Sequence, residues 1–186
     1  MTDLEKALRT IDEANAADPG QEEGQPAALL YGQRMSSELG RLYPGAPDTL
    51  RIAARGQHIE RWTLPRASYP EGKAGYHAWR GALAKRHAER VGAIMTDAGY
   101  GKEDIDAAQR MLRKEGIKRH EDVQTLENVI CFVFLKWYFA PFAAKHTEEK
   151  VLGIVQKTAR KMSSDARVRV LKEFDLPEPL AAAFRD

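Results

Sequence analysis

Three helical rows in this sequence are interrupted by polar side chains where the period calls for apolar ones. Laid out at 3.6 residues per turn, Leu50, Ala53 and Ala54 are followed on the same face by Gln57, His58 and Arg61. Tyr76, Trp79 and Leu83 are followed by His87 before Val91, Ile94 and Met95 resume the row, and Val123 is followed by Glu127 ahead of Ile130, Phe134 and Trp137. A buried polar side chain costs about 1–3 kcal/mol unless it is paired, and a buried charge costs more. Three such residues on three helices would therefore most economically face one another in an internal polar pocket. Taken singly, each is more simply a satisfied core histidine, or a glutamate paired with a nearby arginine; together they favour a site.

Two chemistries fit that set. His58, His87 and Glu127 offer two nitrogens and one oxygen, suited to zinc, iron or manganese with positions left for water. Without a metal, His58 or His87 could act as general acid or base, with Glu127 orienting one of them. Arg61, Arg66, Lys73 and Arg80 flank or follow the loop TLPRASYPEGKAG, and the planar fork of arginine matches phosphate or carboxylate. Ordinary surface ion pairs are the plainer use of such residues. Trp62, Tyr69, Tyr76 and Trp79 border the same loop and could stack on a base or sugar, although aromatics at helical spacing more often pack a core.

The charge distribution supports an anionic ligand. Residues 51–90 hold nine lysines and arginines against three carboxylates, whereas the whole chain is only +2, so the remainder is net −4. A local positive region on an otherwise acidic chain suits a small anionic or phosphorylated molecule better than stable nucleic-acid binding.

The elements that must position these residues are helices. Apolar residues recur at three and four throughout, and no alternating pattern signals a credible strand. The reading is a single all-α domain over residues 1–186 with about seven to nine helices. The first covers about 4–14, capped by Thr2 or Asp3; the second starts at Pro26; the third runs from about Pro47 to Trp62. The fourth covers about 76–98, the fifth 102–114, the central sixth 121–139 until Pro141 bends or ends it, and the seventh follows a Thr147 cap. Residues 63–75 are expected to cover the pocket. Cys131 sits inside VICFVFL and reads as a buried thiol in a reducing compartment. The N-terminus has no apolar leader and no apolar run approaches the ~20 residues of a span, so a cytoplasmic location without a membrane is expected.

The stretches AARGQHIERW and HAERVGAIMTDAGYGKEDIDAAQRMLRKEG resemble segments of the HD-superfamily metal-dependent phosphohydrolases. In that resemblance Gln57 takes the place of a metal-binding histidine, His58 that of the neighbouring aspartate, and Tyr31 that of the first histidine. Lys114 falls near a further histidine and Glu127 near the closing aspartate; only His87 matches in kind. Over almost the whole chain, YGQRM, AARGQHIERW, PRASYPEGKAGYHAWR, VQTLENV, FAAKH and RKMS are similar to domain-of-unknown-function family 4202. The quartets HIER and KMSS echo class I aminoacyl-tRNA synthetase signatures, but those need a doubly wound sheet and here lie in helical context. The resemblance to the HD fold implies a hydrolase acting on a small phosphorylated or anionic ligand such as a nucleotide. On that reading His58, His87 and Glu127 are catalytic or metal-holding, and Gln57, Arg61, Arg66, Lys73, Arg80, Tyr31 and Lys114 bind the ligand. The alternative is a non-catalytic ligand-binding or interaction module with a degenerate HD-type site.

Overall fold

The computed structural model describes residues 1–185, and the chain is all-α. Its contacts divide it into two compact units, Met1–Glu115 and Gly116–Asp186.

The first unit begins with α1 (Asp3–Asn15), opened by a capping box: Thr2 Oγ1 accepts from the Glu5 backbone N–H and Glu5 Oε2 accepts from that of Thr2. A two-residue hairpin follows, β1 (Gln21–Glu22) against β2 (Gln25–Pro26), where no strand was expected. Its turn holds Glu23 and Gly24 at φ 50° and 76°, the mirror-image geometry a two-residue hairpin loop requires. So short a ladder has no alternating pattern for a sequence to display. Next come α2 (Ala27–Leu42), α3 (Asp48–Arg55), α4 (Gly72–Ala98) and α5 (Lys102–Leu112). Helix α4 packs on α1 and α5, and α3 packs on α1, α2 and α5. The core between them includes Ile11, Met35, Ile52, Ala53, Val91, Met95 and Met111.

Two arginines brace this unit through ion pairs. Arg55 donates twice to Asp12, both at 2.7 Å, tying α3 to α1, and the nearly buried Arg34 reaches Glu22 and Glu23 of the hairpin. The third helix is shorter than its apolar row suggested. It ends at Arg55 because the chain turns at Gly56, where an added Cβ would lie 2.5 Å from Val91 Cγ2 of α4. Gln57 and His58 therefore stand in a tight turn, not on a helix face.

The second unit is built on α6 (Glu121–Val133), which runs through a π-helical turn, Phe134–Tyr138, into α7 (Phe139–Ala144). Pro141 was expected to bend or end this helix but lies within α7; the wider turn just before it is where the hydrogen-bonding register shifts. The helical run Glu121–Ala144 has 24 residues and contains an 18-residue window of mean hydropathy 1.3, long and apolar enough by length and composition to cross a membrane, contrary to the expected absence of such a run. Here it forms the core of its unit through Val123, Leu126, Val129, Phe132 and Val133. Around it lie α8 (Glu148–Lys161), capped by Thr147 as expected, α9 (Ser164–Glu173) and the short α10 (Glu178–Ala181).

Candidate functional site

A cavity of about 220 Å³ opens in the first unit, lined by Gln57, His58 and Arg61 from the turn after α3, by Arg80, Gly81, Leu83, Ala84 and His87 from α4, and by Leu112, Arg113 and Lys114 from the end of α5. The turn is pinned from two sides. Asn15, buried at the end of α1, accepts from the Glu60 backbone N–H at 3.0 Å, and Arg90 of α4 donates to the Glu60 carboxylate at 3.1 Å. These contacts hold Glu60 at φ 50°, a left-handed conformation that a glutamate adopts only under such restraint. Lys114 is left-handed too, at φ 58°. The Glu115 N–H bonds back to Arg110 O and the Lys114 N–H to Met111 O, so a lysine occupies the helix-ending position where glycine is favoured.

Within the cavity, Arg61 Nη1 donates to His58 Nε2 at 2.9 Å. A guanidinium only donates, so that nitrogen carries no proton and the imidazole is neutral. The other face of His58 is covered by Tyr31, whose ring is stacked at 3.8 Å and 12°. His58 and His87 lie with ring centroids 6.3 Å apart. Burial, then the positive charges of Arg61, Arg80, Arg86 and Lys114, lowers the His87 pKa to about 3. Burial, then Arg61, His87, Arg80 and Lys114, holds His58 well below its ordinary value. His87 is 5% exposed, and its Nε2 has no hydrogen-bond partner.

The lining is thus one-signed: four cationic side chains, two neutral imidazoles, one amide, and no carboxylate. Arg113 is the member that the row analysis missed; it is exposed, pairs with Glu115, and has no place in an apolar stripe that could have drawn attention to it. Of the residues expected from the sequence, Gln57, His58, Arg61, Arg80, His87 and Lys114 line the cavity. Tyr31 touches it through His58. Arg66 is instead a clip for its own loop, donating to the carbonyls of Tyr69, Pro70 and Gly72, and Lys73 is exposed in the first turn of α4. That loop packs tightly on the helix it precedes: a Cβ on Gly75 would fall 1.8 Å from Pro70 O.

Glu127 belongs to the second unit. It is buried, with Lys161 Nζ 3.9 Å from Oε1. Beside it Asn128 accepts from Gln124 and from the Ser163 N–H and donates to Ser163 Oγ, each at 3.0 Å. Lys118 donates to Met162 O and Gln124 to Lys161 O, so the KMSS quartet forms a pinned turn between α8 and α9, with Ser163 capping α9. Among the described residues no group of three or more His, Cys, Asp or Glu side chains could hold a metal ion.

A family model described as Domain of unknown function (DUF4202) matches residues 5–183. No curated protein and no solved structure matches the chain.

Proposed function

The chain belongs to the DUF4202 family, and we propose that its first unit binds a small phosphorylated molecule in this cavity and hydrolyses the ester, as the resemblance to HD-type phosphohydrolases suggests. The carrying observation is the one-signed lining: Arg61, Arg80, Arg113 and Lys114 surround a space that no carboxylate enters, next to a buried histidine nitrogen with no partner. Concentrated positive charge with low-dielectric walls attracts a dianion and favours arginine-to-phosphate hydrogen bonds. In this reading Arg61 and Arg80 hold the phosphate oxygens, and Gln57 and Lys114 complete the cradle.

The same anion supplies a route to acid–base chemistry. Its charge opposes the cations that keep His87 neutral, so His87 takes up a proton when the ester is in place. The imidazolium then gives that proton to the leaving oxygen as the ester P–O bond breaks. Water forms the new P–O bond, and the proton that it loses returns to His87, leaving an alcohol and hydrogen phosphate. His58, already accepting from Arg61, positions that guanidinium rather than moving a proton. The cavity offers two imidazoles among four cations and no carboxylate, a donor set poorly matched to zinc, iron or manganese, so no step is routed through a metal.

A second reading rests on the same charge set: with both histidines neutral and no carboxylate to activate water, the cavity serves a binding module that senses its ligand without turnover. Calorimetry with orthophosphate, followed by phosphate release from a panel of phosphomonoesters, separates the cases. The hydrolase reading expects binding and release, with release lost in His87→Gln while binding persists. Binding with no release across the panel favours the sensor, and no binding at all removes both. Elemental analysis of the purified protein tests the metal version: stoichiometric metal, absent from His58→Ala, would revive it.

A further inference from the structure

The cavity wall on α4 continues beyond the cavity. Arg80, Gly81, Leu83, Ala84 and His87 line it, and Tyr76 stands one turn before Arg80 on the same face of the helix. The row grades from the buried His87 through the half-buried Arg80 to Tyr76, which is 44% exposed. At 1.5 Å per residue it spans roughly 16 Å from its deep end to its open end. Among the described residues, the strongly exposed large hydrophobic side chains are Met1, Tyr76 and Val168, so Tyr76 is the aromatic one.

That exposed ring is held in place. It lies 6.0 Å from the ring of Trp79, which is nearly buried and fixed by its Nε1–H donating to Leu64 O at 2.8 Å. The guanidinium of Arg61, a cavity residue, lies 5.0 Å from the centroid of the same Trp79 ring. Arg61 and Tyr76 are therefore neighbours through one tryptophan. The cavity itself, at about 220 Å³, falls below the ~300–1,000 Å³ of pockets that enclose a drug-sized ligand. It has room for a phosphate and the first atoms of its ester group; anything larger leaves by the mouth.

We propose that the phosphate ester bound here carries a flat aromatic group, a nucleobase or an aryl ring, and that this group stacks on the exposed face of Tyr76. The inference rests on the anion-binding reading above and adds to it the class of the ester group. Aromatic stacking is tolerant of ring identity because every such ring offers a π-face, so Tyr76 selects for flatness rather than for one base.

Calorimetry with two matched pairs tests it: phenyl phosphate against methyl phosphate, and adenosine monophosphate against ribose 5-phosphate. In at least one pair the aromatic member should bind about tenfold more tightly. Discrimination in the first pair sets the ring directly on the phosphate; in the second, one sugar away. Tyr76→Ala should abolish the difference and leave orthophosphate binding unchanged, and Tyr76→Phe should keep it. Equal affinities within both pairs, or a preference that survives Tyr76→Ala, would overturn the inference while leaving the anion site standing. Failure of orthophosphate and all four esters to bind would remove the anion-binding reading and this inference with it.

Discussion

His87 in the first unit and Asn128 in the second are both buried polar residues on helices whose buried faces are mostly apolar, and they meet opposite fates. Asn128 is bonded within its own unit to Gln124, one turn earlier, and to Ser163 of the turn between α8 and α9. Its neighbour Glu127 has Lys161 at 3.9 Å. His87 faces a cavity with a bare nitrogen and four cations around it. A folded chain rarely leaves a buried polar atom unsatisfied, so the His87 nitrogen, which faces a cavity, calls for an explanation that the bonded Asn128 does not. The contrast is between a polar residue that fastens a turn and one that, in the proposed function, receives a ligand.

If that contrast is right, substitutions in the two units should fail in different measurements. The largest effect is expected for the double variant Arg61→Ala, Arg80→Ala. At about 1.5–3 kcal/mol for each charge-assisted hydrogen bond, orthophosphate affinity should fall on the order of 10²- to 10⁴-fold by calorimetry, with stability reduced by no more than about 1–3 kcal/mol, the cost of leaving the His58 nitrogen unbonded. Asn128→Ala should do the reverse. It strands the Ser163 N–H in a part-buried turn, so about 1–3 kcal/mol of stability should be lost in urea unfolding while orthophosphate binds as before. A double variant that binds orthophosphate normally, or an Asn128 variant that loses binding but not stability, would dissolve the comparison.

The same contrast marks what the sequence could disclose. His87, Gln57 and Glu127 were all visible as interruptions of apolar rows, and each is buried. What the rows could not convey is who satisfies whom, because the partners of Asn128 lie up to 35 residues away in the chain and are brought close only by the turn between α8 and α9. The helices themselves were legible because their periods are long and several of their caps, Thr2 and Thr147 among them, are strong local signals. The end of α3 was not. Its apolar face runs on into Gln57 and His58, yet the chain leaves the helix at Gly56, which lies so close to Val91 that a Cβ would not fit. Arg66 looked like an anion ligand by type and place, but three loop carbonyls claim it.

Acid should sharpen the comparison next. His87 has its pKa lowered from 6.5 to about 3 in the folded chain. Above pH 6.5 it is neutral folded or unfolded, and its contribution to stability is fully present. As the pH falls from 6.5 toward 3, the unfolded chain takes up a proton that the folded chain refuses, and stability drops by up to about 1.4 kcal/mol per pH unit. Burial and the same cations lower His58 as well, which acts in the same direction. Between pH 6.5 and 5, urea unfolding should therefore lose about 2 kcal/mol from His87 alone. His87→Leu should remove the His87 share of that slope and leave the share of His58, and orthophosphate, by opposing the cations, should blunt both in the wild type. A slope unchanged in His87→Leu would mean that the charge resides elsewhere.

The smallest effect is the one that ties strain to function. Lys114 closes α5 in a left-handed conformation, φ 58°, that costs a non-glycine residue about 1 kcal/mol, and its side chain lines the cavity. Nothing in the backbone asks for lysine there; the bonds of Glu115 and Lys114 back to Arg110 and Met111 are made by main-chain atoms and would survive a change of side chain. Lys114→Gly should consequently raise stability by up to about 1 kcal/mol, because relief of the left-handed strain outweighs glycine's extra unfolded-state entropy. The same change should weaken orthophosphate binding several-fold by removing one of four charges. The pair of measurements matters more than either alone. A variant that is both stabler and weaker in binding is the signature of a residue kept for its ligand, whereas one that loses stability and binds normally would show that the lysine serves the fold and that the first unit resembles the second after all.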